Sequence, residues 1–457
     1  EEDKTRQGTA IMLRILALCL ALGSASASYC SGSPDPDAPA NSEPILEADP
    51  VLLRTVENGK LYVVNANKTT QFYVTHLYGA DSYTNGYIQG QLLKEELENF
   101  YPSVWRYLED EAESALPGKF PQWFQDKLMN SAMDAALDWT AAATAPYTDQ
   151  DFLDELKGMS ASSGVDYDLL VRIHMLPEAT KGHCSMFGAW GSALPTGDGL
   201  LQLRALDWDT DGPFRDFPAV TVYHAAPQKE GMAYRERKSS GPKNSWANVG
   251  FVGFVGSITG MSDKQMAISE IGVSFPDDSF GQESRKGVPF VNLLRDVLSM
   301  DSSLEESMDR ITNAHRTCDL ILGVGDGKEE QFRGVQYSAS VANFMDDTNM
   351  QPVNDTWHAP IEDMVYWGMD WLCPGFSEVL GTQLAKYHGS LTPDIAISEV
   401  VARTQTGNLH IALYDLPQSE MYVSFASPKG QDQDMQYAYQ RSYTKLDMTS
   451  LFAEAAP

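Results

Sequence analysis

The sequence predicts an α+β protein in which two β-sheets are sandwiched between helices, a four-layer αββα arrangement preceded by a mainly helical N-terminal segment. Three features carry that expectation. Ahead of residue 184, long stretches place apolar residues three and four apart, the period of a helix with one buried face. Beyond it, short apolar or β-branched runs alternate with Gly, Pro, Asp and Ser turns, the pattern of strands. Two more helical stretches then separate those strands from a final set, so helices flank sheet segments on both sides.

In chain order, residues Leu61–Val64 and Gln71–Leu77 read as a hairpin around Asn65-Ala66-Asn67-Lys68. A helical stretch opens at Gly86 and runs to about Glu113; further helices cover Gln122–Ala143 and Thr148–Ser160, the last with a Thr cap and acidic residues in its first turn. Strands are expected at Leu200–Ala205, Ala219–Tyr223, Val249–Val255 and Gln265–Ile271. Helices follow at Pro289–Leu298 and Leu304–Thr312, where Ser303-Leu304-Glu305-Glu306 fits a capping box. Strands resume at Leu320–Val324 and Phe332–Ser338. A helix is expected at Ile361–Leu372 and another from Thr392-Pro393 to Arg403, before a closing hairpin of Leu409–Tyr414 and Met421–Phe425.

With 63 acidic against 33 basic residues in 457, a net charge of −30 argues against phosphate-rich partners, so neither nucleic acid nor an anionic lipid surface is expected. Met12-Leu13-Arg14, the apolar run Ile15–Leu22 and the small residues Ala25-Ser26-Ala27 read as a secretory signal too short to span a bilayer. The domain reading is an extension and signal over 1–27, a Ser/Pro/Asp-rich linker over 28–49, a mostly helical segment over 50–183 and a nucleophile-bearing segment over 184–457. Two sequons, at Asn67 and Asn354, suit a lumenal route.

The chemistry concentrates at Lys181-Gly182-His183-Cys184-Ser185-Met186-Phe187-Gly188, a Gly turn at Thr196-Gly197-Asp198-Gly199, and Leu203-Arg204-Ala205-Leu206-Asp207-Trp208-Asp209, which together read as a β-hairpin. A thiol performs acyl transfer as a thiolate and needs a neighbour to take its proton. His183 is adjacent in an extended segment and so points away from Cys184. The expectation is therefore that the chain cuts itself between His183 and Cys184, and that the freed α-amine of Cys184 becomes the base for its own thiol. Asp207 would hold the new ammonium; Arg204 would lower the thiol pKa and bind the acyl oxygen. With Cys184 spent on catalysis, Cys318 and Cys373 are the expected disulfide and Cys30 is left over. No metal-ligand spacing and no phosphate-binding glycine loop is present, so no cofactor is expected.

These residues resemble the cysteine N-terminal-nucleophile (Ntn) hydrolases of the choloylglycine hydrolase superfamily, in particular the acid-ceramidase-like and penicillin acyltransferase-like enzymes. The resemblance is carried by Cys184-Ser185, Arg204-x-x-Asp207-Trp208, the helix opening Asn85-Gly86-Tyr87-Ile88-Gln89-Gly90, and the hairpin Gly256-Ser257-Ile258-Thr259-Gly260-Met261 that leads to Ile268-Ser269-Glu270. It implies the Ntn sandwich fold, Cys184 as autoprocessing nucleophile, Arg204 and Asp207 as its partners, Glu270 as a site residue, and Asn354 as an oxyanion-hole amide. The arginine that follows that asparagine in acid ceramidase has no counterpart here.

The implied function is a secreted or lysosomal amidohydrolase that cleaves a small-molecule N-acyl amide, ceramide-like or another N-acyl amine, through a thioester, with acyl transfer to an amine as a side reaction. No transmembrane segment is expected, and the cut pieces should stay associated. Two other classes fit the same residues: a phospholipase-B-like acyl-ester hydrolase, and a secreted glycoprotein that keeps the fold without the reaction.

Overall fold

The computed structural model describes residues 34–114, 122–180, 182–226, 242–273, 278–369, 373–430 and 435–457, leaving the signal-like segment and Cys30 outside the described residues. Four strands come first: β1 (Leu46–Glu47), β2 (Pro50–Val56), β3 (Gly59–Val64) and β4 (Phe72–Leu77). Helices α1 (Ser82–Leu92), α2 (Lys94–Ser114), α3 (Gln122–Thr144), α4 (Gln150–Ser163), α5 (Tyr167–His174) and the single turn α6 (Leu176–Ala179) lead to β5 (His183–Trp190) and β6 (Leu200–Asp207). Strands β7 (Pro218–Tyr223), β8 (Trp246–Phe251), β9 (Gly260–Ser262) and β10 (Met266–Gly272) precede α7 (Phe290–Met300) and α8 (Leu304–Asn313). The chain ends through β11 (Leu320–Asp326), β12 (Gln331–Tyr337), β13 (Ala342–Met345), β14 (Met364–Gly368), α9 (Pro374–Lys386), a helical stretch over 393–404, β15 (His410–Asp415), β16 (Glu420–Phe425), β17 (Thr444–Asp447) and α10 (Met448–Ala453).

These strands form two stacked sheets, one of seven strands in the order β1-β17-β16-β15-β6-β5-β14 and one of ten in the order β13-β12-β11-β10-β9-β8-β7-β4-β3-β2. The inner faces of β5 and β6 pack on β10, β11 and β12; α9 covers the outside of the first sheet, and α1, α7 and α8 cover the second. This is the α+β, four-layer sandwich that the pattern of elements predicts. Most strand residues are buried on both faces, since each sheet lies between another sheet and a helical layer.

Helices α1 and α4 cross at backbone contact distance, which explains the glycines at 86 and 90. A Cβ on Gly86 would lie 1.8 Å from the Glu155 carbonyl oxygen, and one on Gly158 would lie 2.0 Å from that of Tyr83. The Gly-rich helix opening is therefore a helix-packing device rather than part of the chemistry. Ser303 caps α8 as expected, accepting from the Glu306 N–H at 3.2 Å, but the Glu306 carboxylate reaches the Ser302 N–H instead of closing the box on Ser303.

Four expectations are corrected. The described part of the segment, 361–369, is not a helix: Met364–Gly368 is strand β14, paired antiparallel with β5 from Met364↔Ala189 to Gly368↔Ser185. All five of its residues are buried, so it lacks the alternation that marks a half-exposed strand. The linker is exposed over much of its described part, as expected, but it is docked rather than free, because β1 pairs with β17 and the Asn41 amide donates to the Tyr439 and Arg441 carbonyls at 3.1 and 3.0 Å. Strand β8 starts at Trp246 rather than Val249. The Cys318–Cys373 disulfide does not form. Cys318 is a buried thiol just ahead of β11 of the second sheet, whereas Cys373 caps α9 outside the first sheet in a separate apolar cluster with Met369 and Phe376. Cys373 is itself disulfide-bonded, while Cys318 keeps its thiol.

Candidate active site

The hairpin of β5 and β6 sets the site. Its register pairs His183 with Asp207, Cys184 with Leu206, Ser185 with Ala205 and Met186 with Arg204. Directly opposed residues of an antiparallel pair share a face, so Cys184, Met186, Leu206 and Arg204 lie on one side, and His183, Ser185, Ala205 and Asp207 on the other. Met186 marks the first side as inward, since a Cβ on Gly323 of β11 would lie 2.9 Å from its sulfur. The thiol and the guanidinium thus face the gap between the sheets, while Asp207 faces the helical layer.

Cys184 is fully buried, as is Arg204. Arg204 Nη2 donates to Cys184 Sγ at 3.4 Å and to Glu270 Oε2, on β10 of the facing sheet, at 3.2 Å. Its Nε and Nη1 have no hydrogen-bond partner among the described residues. Burial pushes the Cys184 thiol pKa up strongly and the Arg204 charge opposes this, so in the uncut chain the sulfur is held as a thiol. Burial likewise raises Glu270, again against the pull of Arg204.

Asp207 is held by the turn over residues 406–408. Thr406 Oγ1 donates to Oδ2 at 2.7 Å, the Gly407 N–H to both oxygens at 2.9 Å, and the Asn408 N–H to Oδ1 at 3.0 Å. Asn408 Oδ1 in turn accepts from the Trp208 N–H at 2.8 Å. Burial pushes the Asp207 carboxyl up to about 6 despite these donors.

Arg204 and Glu270 lie at the polar end of an apolar cavity of about 100 Å³. Phe100 and Tyr101 of α2, Ile173 of α5 and Leu176 of α6 supply one wall, and Trp208, Phe251 and Phe254 another. Gly182, next to the expected cut, also lines it. The walls therefore come from both sides of residue 183; the thiol is not in the lining but is bonded to Arg204, which is, and so apolar a space suits an acyl group better than a charged one.

Of the residues singled out from sequence, Cys184, Arg204 and Glu270 converge, and Asp207 sits across the strand pair from His183. Asn354 does not join them. Its side-chain oxygen accepts from the N–H groups of Thr356 and Trp357 at 2.9 and 3.2 Å, closing its own turn, and it is not among the residues lining the cavity. Asn67, the other sequon, lies exposed in the β3–β4 connection. Sequence reasoning missed Thr406, Gly407 and Asn408, some 200 residues from Asp207, and missed His410. His410, fully buried on β15 opposite Leu206, has Nε2 3.1 Å from Thr259 Oγ1. Among the described residues no three His, Cys, Asp or Glu side chains are grouped to hold a metal ion, and no helix is long and apolar enough to cross a membrane.

No family model matches the chain. It is 33% identical to protein dcd1A of Dictyostelium discoideum over 427 residues, 90% of this chain and 92% of that protein. With protein dcd1B of the same organism it is 31% identical over 430 residues, 91% of this chain and 81% of the relative. Among solved structures it is similar to the Caenorhabditis elegans N-acylethanolamine-hydrolyzing acid amidase ortholog, at TM-score 0.35 and 14% identity over 51% of this chain and 93% of that one. It is similar also to penicillin V acylase from Agrobacterium tumefaciens, at TM-score 0.39 and 14% identity over 59% and 87%.

Proposed function

The chain belongs to the family of the Dictyostelium discoideum proteins dcd1A and dcd1B, and from the site it carries we propose that it is a self-cutting cysteine amidohydrolase acting on N-acyl amines. The observation that supports this most is the placement of Arg204. It touches the Cys184 sulfur and Glu270, borders an apolar cavity, and keeps two buried N–H-bearing nitrogens unspent. Buried donors without partners are costly, and they suit a carbonyl oxygen that becomes an oxyanion.

In the first stage the Cys184 sulfur attacks the His183 carbonyl carbon, the C–N bond breaks, and the nitrogen of Cys184 takes the thiol proton. Water then hydrolyses the thioester, leaving a carboxylate on His183 and an α-amine on Cys184. This amine forms at the strand position facing the pair of His183 and Asp207, so the carboxylate of Asp207 is near enough to orient it. In the second stage the α-amine removes the thiol proton. The thiolate attacks the acyl carbonyl of the substrate, and Arg204 stabilises the oxygen. The leaving amine departs with the proton from the α-ammonium. Water, or a second amine, resolves the acyl-enzyme and restores the thiol.

The apolar walls support an acyl chain as the buried part of the substrate. The signal-like N-terminus and the exposed Asn67 support a secreted or lysosomal lumen as the working compartment. Intact mass and N-terminal sequencing of purified protein test the first stage: a fragment beginning at Cys184 is expected, absent in Cys184→Ala. An uncut chain in fully active protein defeats self-cutting. Supplying a ceramide, an N-acylethanolamine and a phospholipid side by side tests the second stage. Release of fatty acid from the phospholipid alone moves the assignment to an ester hydrolase.

A further inference from the structure

We infer that Thr406 and Ser185 form a positioning relay that holds Asp207 ionised and aimed at the α-amine of Cys184, on the sheet face opposite the thiol. The inference rests on the amidohydrolase reading and adds two residues to its machinery. Thr406 Oγ1 lies 2.7 Å from Asp207 Oδ2 and 2.6 Å from Ser185 Oγ, and Ser185 Oγ accepts from the Met369 N–H at 3.0 Å. A hydroxyl has one proton to give, and a carboxylate can only accept. The direction is therefore settled by chemistry: Met369 N–H to Ser185, Ser185 O–H to Thr406, Thr406 O–H to Asp207.

All three side chains are buried, so water does not compete for these bonds. The turn is built to make them. Gly407 adopts φ +83°, a conformation glycine accepts freely, and a Cβ there would lie 2.2 Å from Ile411 Cγ1. Three successive residues thereby direct an O–H and two N–H groups at one carboxylate. Ser185 follows the nucleophile directly, so the relay also ties the new N-terminal strand end to its counter-ion. Loss of the residues before Cys184 would free that end from one side.

The titratable groups near Asp207 are few, and Arg204 and Cys184 among them lie on the opposite face of their strands. Its own strand brings Arg204, whose charge lowers the Asp207 pKa, and β5 brings Cys184 and the partnered His183. The turn at Ala438–Gln440 brings Tyr439, whose pKa the Asp207 charge raises. Among these only Thr406 donates a side-chain hydrogen bond to it. Removing that donor disfavours the charged carboxylate, so the pH below which Asp207 is neutral rises.

The test follows Cys184 alkylation by iodoacetamide against pH in the cut protein, which needs no substrate. Thr406→Val should move the acid limb of the rate to higher pH by about one unit, and Thr406→Ser should return it. Ser185→Ala, which removes only the second link, should move it the same way by less, and it carries the comparison if Thr406→Val fails to fold or to cut. An acid limb unchanged in these variants overturns the relay. A parent protein that yields no fragment beginning at Cys184, or in which peptide mapping finds no label on Cys184, overturns the functional reading instead, so the two failures are told apart.

Discussion

Glu155 on α4 and Arg295 on α7 form a buried ion pair that joins the two sides of the expected cut. Tyr223 Oη donates to Glu155 Oε1 at 2.7 Å, Arg295 Nη1 donates to the Val255 carbonyl at 3.1 Å, and the guanidinium lies over the rings of Tyr223 and Trp246 at 5.3 and 5.7 Å. His174 of α5 adds a second tie by accepting from the Val255 N–H at 3.0 Å. A cut at 183–184 would thus leave polar bonds as well as apolar packing between the pieces.

Arg295→Met should leave Glu155 buried with its charge uncompensated, at a cost of roughly 3–5 kcal/mol. Urea unfolding measures the loss. In cut protein, gel filtration at low urea should show the pieces separating in the variant while they still co-elute in the parent.

Gly86→Ala should be more harmful than an ordinary helix substitution, because the methyl group meets backbone at the α1–α4 crossing. Alanine normally favours a helix, yet here overpacking of roughly 1–3 kcal/mol should dominate. A lowered melting temperature checks the sign; a raised one would refute the close crossing.

Glu178 predicts a pH dependence of stability. Fully buried on α6, it accepts from the Phe290 N–H at 2.7 Å and from the Thr317 hydroxyl at 3.1 Å, while Oε2 has no hydrogen-bond partner among the described residues. Burial pushes its carboxyl up to about 7 from an ordinary 4.5. The folded state holds the proton more tightly than the unfolded one. Its contribution is therefore complete below pH 4.5 and lost as the pH rises to about 7, by at most about 3 kcal/mol. Unfolding free energies at pH 5 and 7.5 should differ less in Glu178→Gln than in the parent, and an equal difference would exclude Glu178 as the source.

Thiol mapping checks the cysteine assignment. Unfolded without reductant and treated with iodoacetamide, the protein should take label on both Cys184 and Cys318. Peptide mass spectrometry that finds Cys318 protected would restore it to a disulfide.

The sequence by itself determined the local framework. Alternation and a Gly turn marked the β5–β6 hairpin, helical periodicity marked α2, α3 and α7, and caps at Ser303 and Thr392 marked helix starts, because such signals depend on neighbours a few residues away. They also placed Cys184 and Arg204 on one hairpin, where a diagonal of the register brings them together. The tertiary structure alone decided the rest. Strand β14 carries no alternation because both its faces are buried, so only pairing with β5 reveals it. Cys318 and Cys373 fall in separate apolar clusters, which spacing along the chain does not express. Asp207 receives its donors from Thr406, Gly407 and Asn408, and Asn354 spends its oxygen on its own turn. A buried charge is satisfied by whatever the fold brings within hydrogen-bond reach, and that neighbourhood exists only once the chain has closed around it.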